Sequence, residues 1–161
     1  MLSTNNIAFT AALNPDDAGP ILTQDQIWAG LLIKIRSAET FVPHGIQSTT
    51  VISETTDPHT GNPVTQREVI FIEDQRKVIE TVTAFEPSRV TFVQPDGSII
   101  NNIISEGASG ELYMTYTFEW RHPGASEAEL GMLLEKEKRM SKMAVEETIV
   151  AMKQLAREGK I

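Results

Sequence analysis

Glu137 occupies the position in this chain that most calls for a chemical explanation. At about 100° per residue, Leu130, Leu133, Met140, Ala144, Thr148, Ala151 and Leu155 form one stripe along a C-terminal helix, and Glu137 lies inside it with Ser141 following on the same side. A carboxylate on an apolar stripe has to be neutralised, paired or kept beside water. Either the first turns of the helix overhang and leave Glu137 in solvent, or it stands at the mouth of a cavity as a hydrogen-bonding or acid/base group. Its candidate co-workers lie on the strand before that helix. Leu112, Met114, Tyr116, Phe118 and Trp120 alternate with polar residues and face inward. Pairing Glu106 with Glu111 sets Asn101 opposite Tyr116. A two-residue Asp96-Gly97 loop sets Phe92 opposite Asn101, and a Pro87-Ser88 turn brings in Thr81, Thr83 and Phe85. The inner face is therefore interrupted by Thr83, Asn101 and Tyr116, with Gln94 and Glu68 as further interruptions. Each needs a partner, a water or a ligand, because an unpaired buried polar group costs about 1–3 kcal/mol.

Other chemistries are excluded or unsupported. The chain has no cysteine, which removes disulfides, thiolate zinc sites, iron–sulfur clusters and a cysteine nucleophile. The three histidines fall in turns, at Pro43-His44-Gly45, Pro58-His59-Thr60 and His122-Pro123, and read as solvated loop residues without metal-ligand spacing. No Gly-x-Ser-x-Gly elbow, dinucleotide fingerprint or Walker loop is present. No metal and no cofactor is expected. The net charge of −8 repels phosphate backbones and anionic membranes, so nucleic acid and membrane insertion are poor partners. No apolar run approaches the length of a membrane span, and the first 33 residues carry no Lys or Arg. The expectation is a soluble, cytoplasmic protein.

The elements that must position these residues follow in a clear order. An apolar stretch from Ile7 to Leu13 reads as a strand, followed by the turn-rich run 16–20. Thr23 and Gln26 form a capping box, and Ile27, Trp28, Leu31, Ile35 and Ala38 continue at helical spacing, with Gln24, Lys34 and Arg36 assigned to an outer face. From Ile46 to Arg121, five turn signals separate six strands, whose short connections require antiparallel neighbours. Ser126 with Glu129 caps the last helix, which runs to about Arg157 with Gly159 as its stop. The length of 161 residues, without repeats or linkers, reads as one domain spanning 1–161.

This order resembles the helix-grip architecture of the START/SRPBCC superfamily, the fold of the birch-pollen allergen. Within it the chain is similar to the AtaL-like group, on Leu22-Thr23-Gln24-Asp25-Gln26-Ile27-Trp28-Ala29-Gly30-Leu31, on Asn101-Asn102-Ile103-Ile104-Ser105-Glu106-Gly107 through Leu112-Tyr113-Met114-Thr115-Tyr116, and on Glu147-Thr148-Ile149. The resemblance implies an α+β fold: a curved seven-stranded antiparallel sheet wrapped around a long C-terminal helix, with a helical segment between strands 1 and 2 and a cavity between sheet and helix. It carries a pocket and no reaction. Some fungal members are associated with secondary-metabolite pathways.

Two functions fit. One is a binding protein for a small hydrophobic metabolite of polyketide, terpenoid or alkaloid type. Trp28, Phe92, Met114, Phe118 and Met140 would supply wall, and Thr83, Asn101, Tyr116, Glu137 and Ser141 polar anchors. With no Lys or Arg on the expected inner face, the ligand would be neutral or cationic. The other is a cofactor-independent cyclase, dehydratase or isomerase in which Glu137 moves a proton while Tyr116 and Asn101 stabilise an oxyanion. An interaction module with a collapsed core is a third option. The oligomeric state is open, a homodimer included.

Overall fold

The computed structural model describes residues 3–16 and 19–161; Asp17 and Ala18, in the expected turn at 16–20, lie outside the described residues. Seven strands form one antiparallel sheet: β1 (Thr4–Ala12), β2 (Ile46–Thr56), β3 (Pro63–Phe71), β4 (Lys77–Phe85), β5 (Arg89–Val93), β6 (Ile99–Glu106) and β7 (Leu112–Arg121). Their spatial order is β1-β7-β6-β5-β4-β3-β2, so six consecutive strands form a meander and the first closes against the last. Helix α1 (Gln24–Arg36) and a 3-10 turn (Ala38–Thr40) connect β1 to β2 at the opposite edge, and α2 (Glu127–Arg157) lies against the inner face. The sheet curves, and β2 carries irregularities between Ile46 and Ser48 and between Val51 and Ser53, where an extra residue bends a strand.

Both helices begin where capping chemistry says they should. Thr23 Oγ1 accepts from Gln26 N and Gln26 Oε1 accepts from Thr23 N; Ser126 and Glu129 repeat the exchange at α2. The core gathers Ile27, Trp28, Leu31 and Ile35 of α1, Val82, Val90, Phe92, Ile104, Met114 and Tyr116 of the sheet, and Val145, Met152 and Leu155 of α2. Gly30 permits the close approach of the helices, since a Cβ there would collide with the buried Met152 side chain.

The strand pairing differs from the expected register at three successive hairpins, each time by one residue. Glu106 pairs with Leu112, not Glu111, because the connecting loop holds five residues and Gly107 N donates to Glu111 O (2.7 Å). Gln94 and Ser98 close a three-residue loop over Pro95-Asp96-Gly97, with Gly97 at φ 88°, a conformation suited to glycine. Phe85 pairs with Arg89, making that loop three residues as well. One slip flips a strand face and a second restores it. Hence β6 and β4 are inverted relative to expectation, while β5 and β7 are as read. Ile104, not Ile103, opposes Met114; Asn102, not Asn101, opposes Tyr116; and Val82 and Ala84, not Thr81, Thr83 and Phe85, face the core.

Removing a cap should register directly in stability: Ser126→Ala is expected to cost about 1 kcal/mol, read as a lower urea midpoint at unchanged slope.

Candidate functional site

A cavity of about 530 Å³ lies between the sheet's inner face and α2, within the range of small-molecule sites. Its apolar wall is Phe92, Ile100, Phe118 and Trp120 from the sheet and Leu133, Met140, Met143 and Ala144 from α2. Along β7, Tyr116, Phe118 and Trp120 form a ladder: Tyr116 meets Phe118 edge to face at 6.2 Å, and Phe118 stacks on Trp120 at 5.6 Å. Polar groups gather at two levels of this ladder, around Tyr116 and around His122, about 20 Å apart on an extended strand.

The deeper level is charged. Arg67, on β3, is buried and donates through Nε and Nη2 to Glu80 Oε1 on β4 (3.0 and 2.8 Å). Its Nη1 donates to the carbonyls of Lys34 and Ile35 at the end of α1 (2.9 and 3.0 Å). The second carboxylate oxygen of Glu80 accepts from Gln94 Nε2 (3.1 Å). Beside this pair stands Lys34, whose Nζ donates to Asn102 Oδ1 (2.7 Å) and lies 4.9 Å from the Phe92 ring centre and 5.1 Å from that of Tyr116. Both Lys34 and Asn102 are buried and line the cavity, and Asn102 Nδ2 has no hydrogen-bond partner among the described residues. Burial, with Arg67 nearby, lowers the Lys34 pKa from its ordinary 10.5 to about 7, against a smaller opposing pull from Glu80.

The level nearer the surface centres on Glu137. Asn5 Nδ2 of β1 donates to Glu137 Oε1 (2.9 Å) and to Leu130 O (3.1 Å). His122 Nε2 lies 3.1 and 3.3 Å from the two carboxylate oxygens, so Nε2 carries a hydrogen when Glu137 is ionised. Glu137 is buried, which decides against the overhanging-helix reading. The wider mouth carries the exposed Glu73, Asp74, Arg76 and His44; Lys136 pairs with Glu73, and His44 with Glu147.

The expected site residues distribute unevenly. Phe92, Tyr116, Phe118, Glu137, Met140 and Ser141 line the cavity. Ser141 Oγ is turned to its own helix, donating to Lys138 O (2.8 Å). The Tyr116 ring forms wall, but its hydroxyl is buried against Thr148 Oγ1 (2.7 Å), and burial pushes its pKa well above the usual phenol value. Trp28 and Met114 pack in the core away from the cavity lining. Thr83 and Asn101 require correction: the one-residue slips turn both to the outer face, where Thr91 Oγ1 donates to Asn101 Oδ1 (2.6 Å) and Asn101 Nδ2 to Thr117 Oγ1 (3.1 Å). Glu68 is likewise on the outer face of β3, and Gln94 on the inner.

The expectation of an inner face free of Lys and Arg is overturned by Lys34 and Arg67, and with it the argument for a cationic ligand. A signal for both was present. Lys34 sits seven positions after Ile27 and three after Leu31, on the buried face of α1. Arg67 and Glu80 are direct cross-strand partners at inward positions. His122 is a second correction, since it reaches back to Glu137 instead of into solvent. A cluster of three or more residues suited to a metal is absent among the described residues, and no described helix is long and apolar enough to cross a membrane.

A curved antiparallel sheet gripping a long C-terminal helix over a lined cavity defines the helix-grip class, the START/SRPBCC architecture. The chain belongs to the AtaL family, described as acetylaranotin biosynthesis cluster protein L, whose model matches residues 7–159. No curated protein sequence matches it. Among solved structures it is similar to the di-domain ARO/CYC BexL from the BE-7585A biosynthetic pathway, at TM-score 0.60 and 11% identity over 94% of this chain and 49% of that one. The chain thus spans about half the length of BexL. It is also similar to Ara h 8.0201, at TM-score 0.53 and 12% identity over 92% of this chain and 99% of that one. The AHSA1-like protein from Aeromonas hydrophila gives TM-score 0.53 and 12% identity over 98% and 96% of the two chains. At these identities the likeness is one of fold.

The lowered Lys34 pKa has a consequence for stability. Between about pH 7 and 10.5 the unfolded chain binds a proton that the folded chain lacks, so stability rises with pH across that window and is flat on this account below it. Relative to Lys34→Met, the wild type should gain up to about 3 kcal/mol from pH 7 to pH 9.5, measured by urea unfolding at the two values.

Proposed function

We propose that this protein binds a small, largely apolar, oxygen-bearing metabolite of a secondary-metabolite pathway in the cavity between sheet and α2. The observation that carries the reading is the cavity itself: about 530 Å³, with an aromatic ladder for wall and unspent hydrogen-bond donors on Lys34 and Asn102 at its floor. Donors suit carbonyl, enol or phenol oxygens, which points to a polyketide or oxygenated terpenoid over an alkaloid cation. Membership of a family described by a biosynthetic cluster supports the pathway, and BexL offers a related fold in another biosynthetic pathway. A cavity of this size argues against a collapsed interaction module.

Purified protein is expected to carry or take up such a molecule, seen as a mass adduct in native mass spectrometry. It should also enhance the fluorescence of the neutral apolar probe N-phenyl-1-naphthylamine. Ala144→Trp, which would fill the cavity, should weaken probe binding about tenfold or more, or about 1.4 kcal/mol; unchanged binding would remove the cavity from the account.

A second reading is favoured by one arrangement, the Asn5–Glu137–His122 cluster at the cavity wall. A carboxylate and an imidazole in hydrogen-bond range can hand a proton to and from a bound molecule, as a cofactor-independent cyclase, dehydratase or isomerase requires. Tyr116 serves this reading as wall, with its hydroxyl engaged by Thr148. Under it, Glu137→Gln should lower turnover of a bound compound by about 100-fold or more while affinity stays within a few-fold. If affinity and turnover fall together, the binding reading stands alone.

A further inference from the structure

The cavity floor holds an ionisable group that binding alone does not require. A buried lysine ordinarily stays charged by pairing with a carboxylate. Lys34 takes part in none of the ion pairs among the described residues. The acid nearest to that role, Glu80, has both oxygens engaged: one receives Arg67 and the other Gln94. Among the described residues the one hydrogen-bond partner of Lys34 Nζ is the neutral Asn102 amide oxygen, and its flanks are the Phe92 and Tyr116 rings. Burial, with Arg67 nearby, lowers its pKa from the ordinary 10.5 to about 7. A large fraction of the amine therefore carries a free lone pair near neutral pH, at a wall the ligand touches.

Lys153 provides an internal contrast. It too is buried, but its ammonium donates to Asn14 Oδ1 (2.8 Å) and to Pro20 O (2.5 Å), and it lies outside the cavity lining. Its geometry is that of a structural tie. Lys34 has the geometry of a reagent.

From this placement, and resting on the ligand-binding reading above, we propose that Lys34 captures a ketone or aldehyde carbonyl of the cavity's ligand as an imine. The nitrogen lone pair attacks the carbonyl carbon and forms the C–N bond. One nitrogen hydrogen passes to the former carbonyl oxygen, giving a carbinolamine. The C–O bond then breaks, the second nitrogen hydrogen leaves with the oxygen as water, and a C=N bond remains. No oxidant or reductant is needed, and water reverses the step. With a 1,3-dicarbonyl the imine tautomerises to a conjugated enaminone. Asn102 Nδ2, buried and without a partner among the described residues, is the donor beside Lys34 that can hold the carbonyl oxygen during attack. The ligand class follows: a molecule with a reactive ketone or aldehyde, a poly-β-ketone chain being the clearest case.

The test uses 2,4-pentanedione, a small 1,3-diketone whose enaminone absorbs in the near ultraviolet, followed by peptide mapping at limiting reagent and neutral pH. Labelling per residue is expected to favour Lys34 over the exposed lysines 77, 138, 142 and 160 by about tenfold or more, because an ordinary lysine is almost wholly protonated there. Lys34→Met and Lys34→Arg should lose that label, with circular dichroism confirming the fold. Absence of label on Lys34 in the wild type, or a distribution following exposure alone, overturns the proposal. Parallel titration with N-phenyl-1-naphthylamine, which has no carbonyl, separates the two levels. Probe bound without Lys34 labelling removes the imine and keeps the pocket; probe and label both absent removes both.

Discussion

The Arg67 guanidinium is the interaction on which the rest of the interior depends. It joins three elements: it closes two carbonyls at the end of α1, pairs with Glu80 across β3 and β4, and through Glu80 reaches Gln94 beyond β5. Its stacking over Phe92, at 4.7 Å, adds an aromatic contact to the charged ones. Burying such a pair is costly, and its two charges repay desolvation only when the remaining hydrogen-bond capacity is used. Here it is used. The arrangement positions the end of α1 against the sheet and, by engaging both oxygens of Glu80, leaves the neighbouring amine of Lys34 outside the ion pairs among the described residues.

The cavity is consequently organised along one strand. Inward residues of β7 run from Met114 in the solid core, through the Tyr116–Phe118–Trp120 ladder, to the turn where His122 meets Glu137. A flat, apolar molecule laid on the ladder has a basic group near one end and an acid–imidazole pair near the other. Such a separation of functions suits a site that must hold a multifunctional molecule in one orientation. The flexible side chains opposite, Met140 and Met143, can adapt to its shape.

How much of this was legible in the sequence divides along physical lines. Capping boxes and the long period-2 run of β7 are local signals, and they led to the correct helix starts and the correct inner face for Tyr116 and Phe118. Hairpin loops are local too, but their lengths are set by turns such as the left-handed Gly97, and each was one residue longer than the shortest reading. Errors of one compensate in pairs, so Phe92 and Val90 came out inward while Asn101 and Thr83 exchanged faces with Asn102 and Val82. Lys34 was misplaced for a different reason. Its helical phase is inward, and only the general cost of burying charge argued otherwise; the compensating environment, built from residues of β5, β6 and β7, is a tertiary property. Asn5 is similarly joined to Glu137 by the closure of β1 on β7, and His122 by the return of α2 along the sheet.

Met152 packs against α1 at Gly30, while Glu73, Asp74 and His44 stand exposed on the rim of the hollow. That rim runs along α2 from Lys136, paired with Glu73, to Glu147, paired with His44. Under the binding reading, which end of a guest enters first would then depend on how it meets these exposed charges.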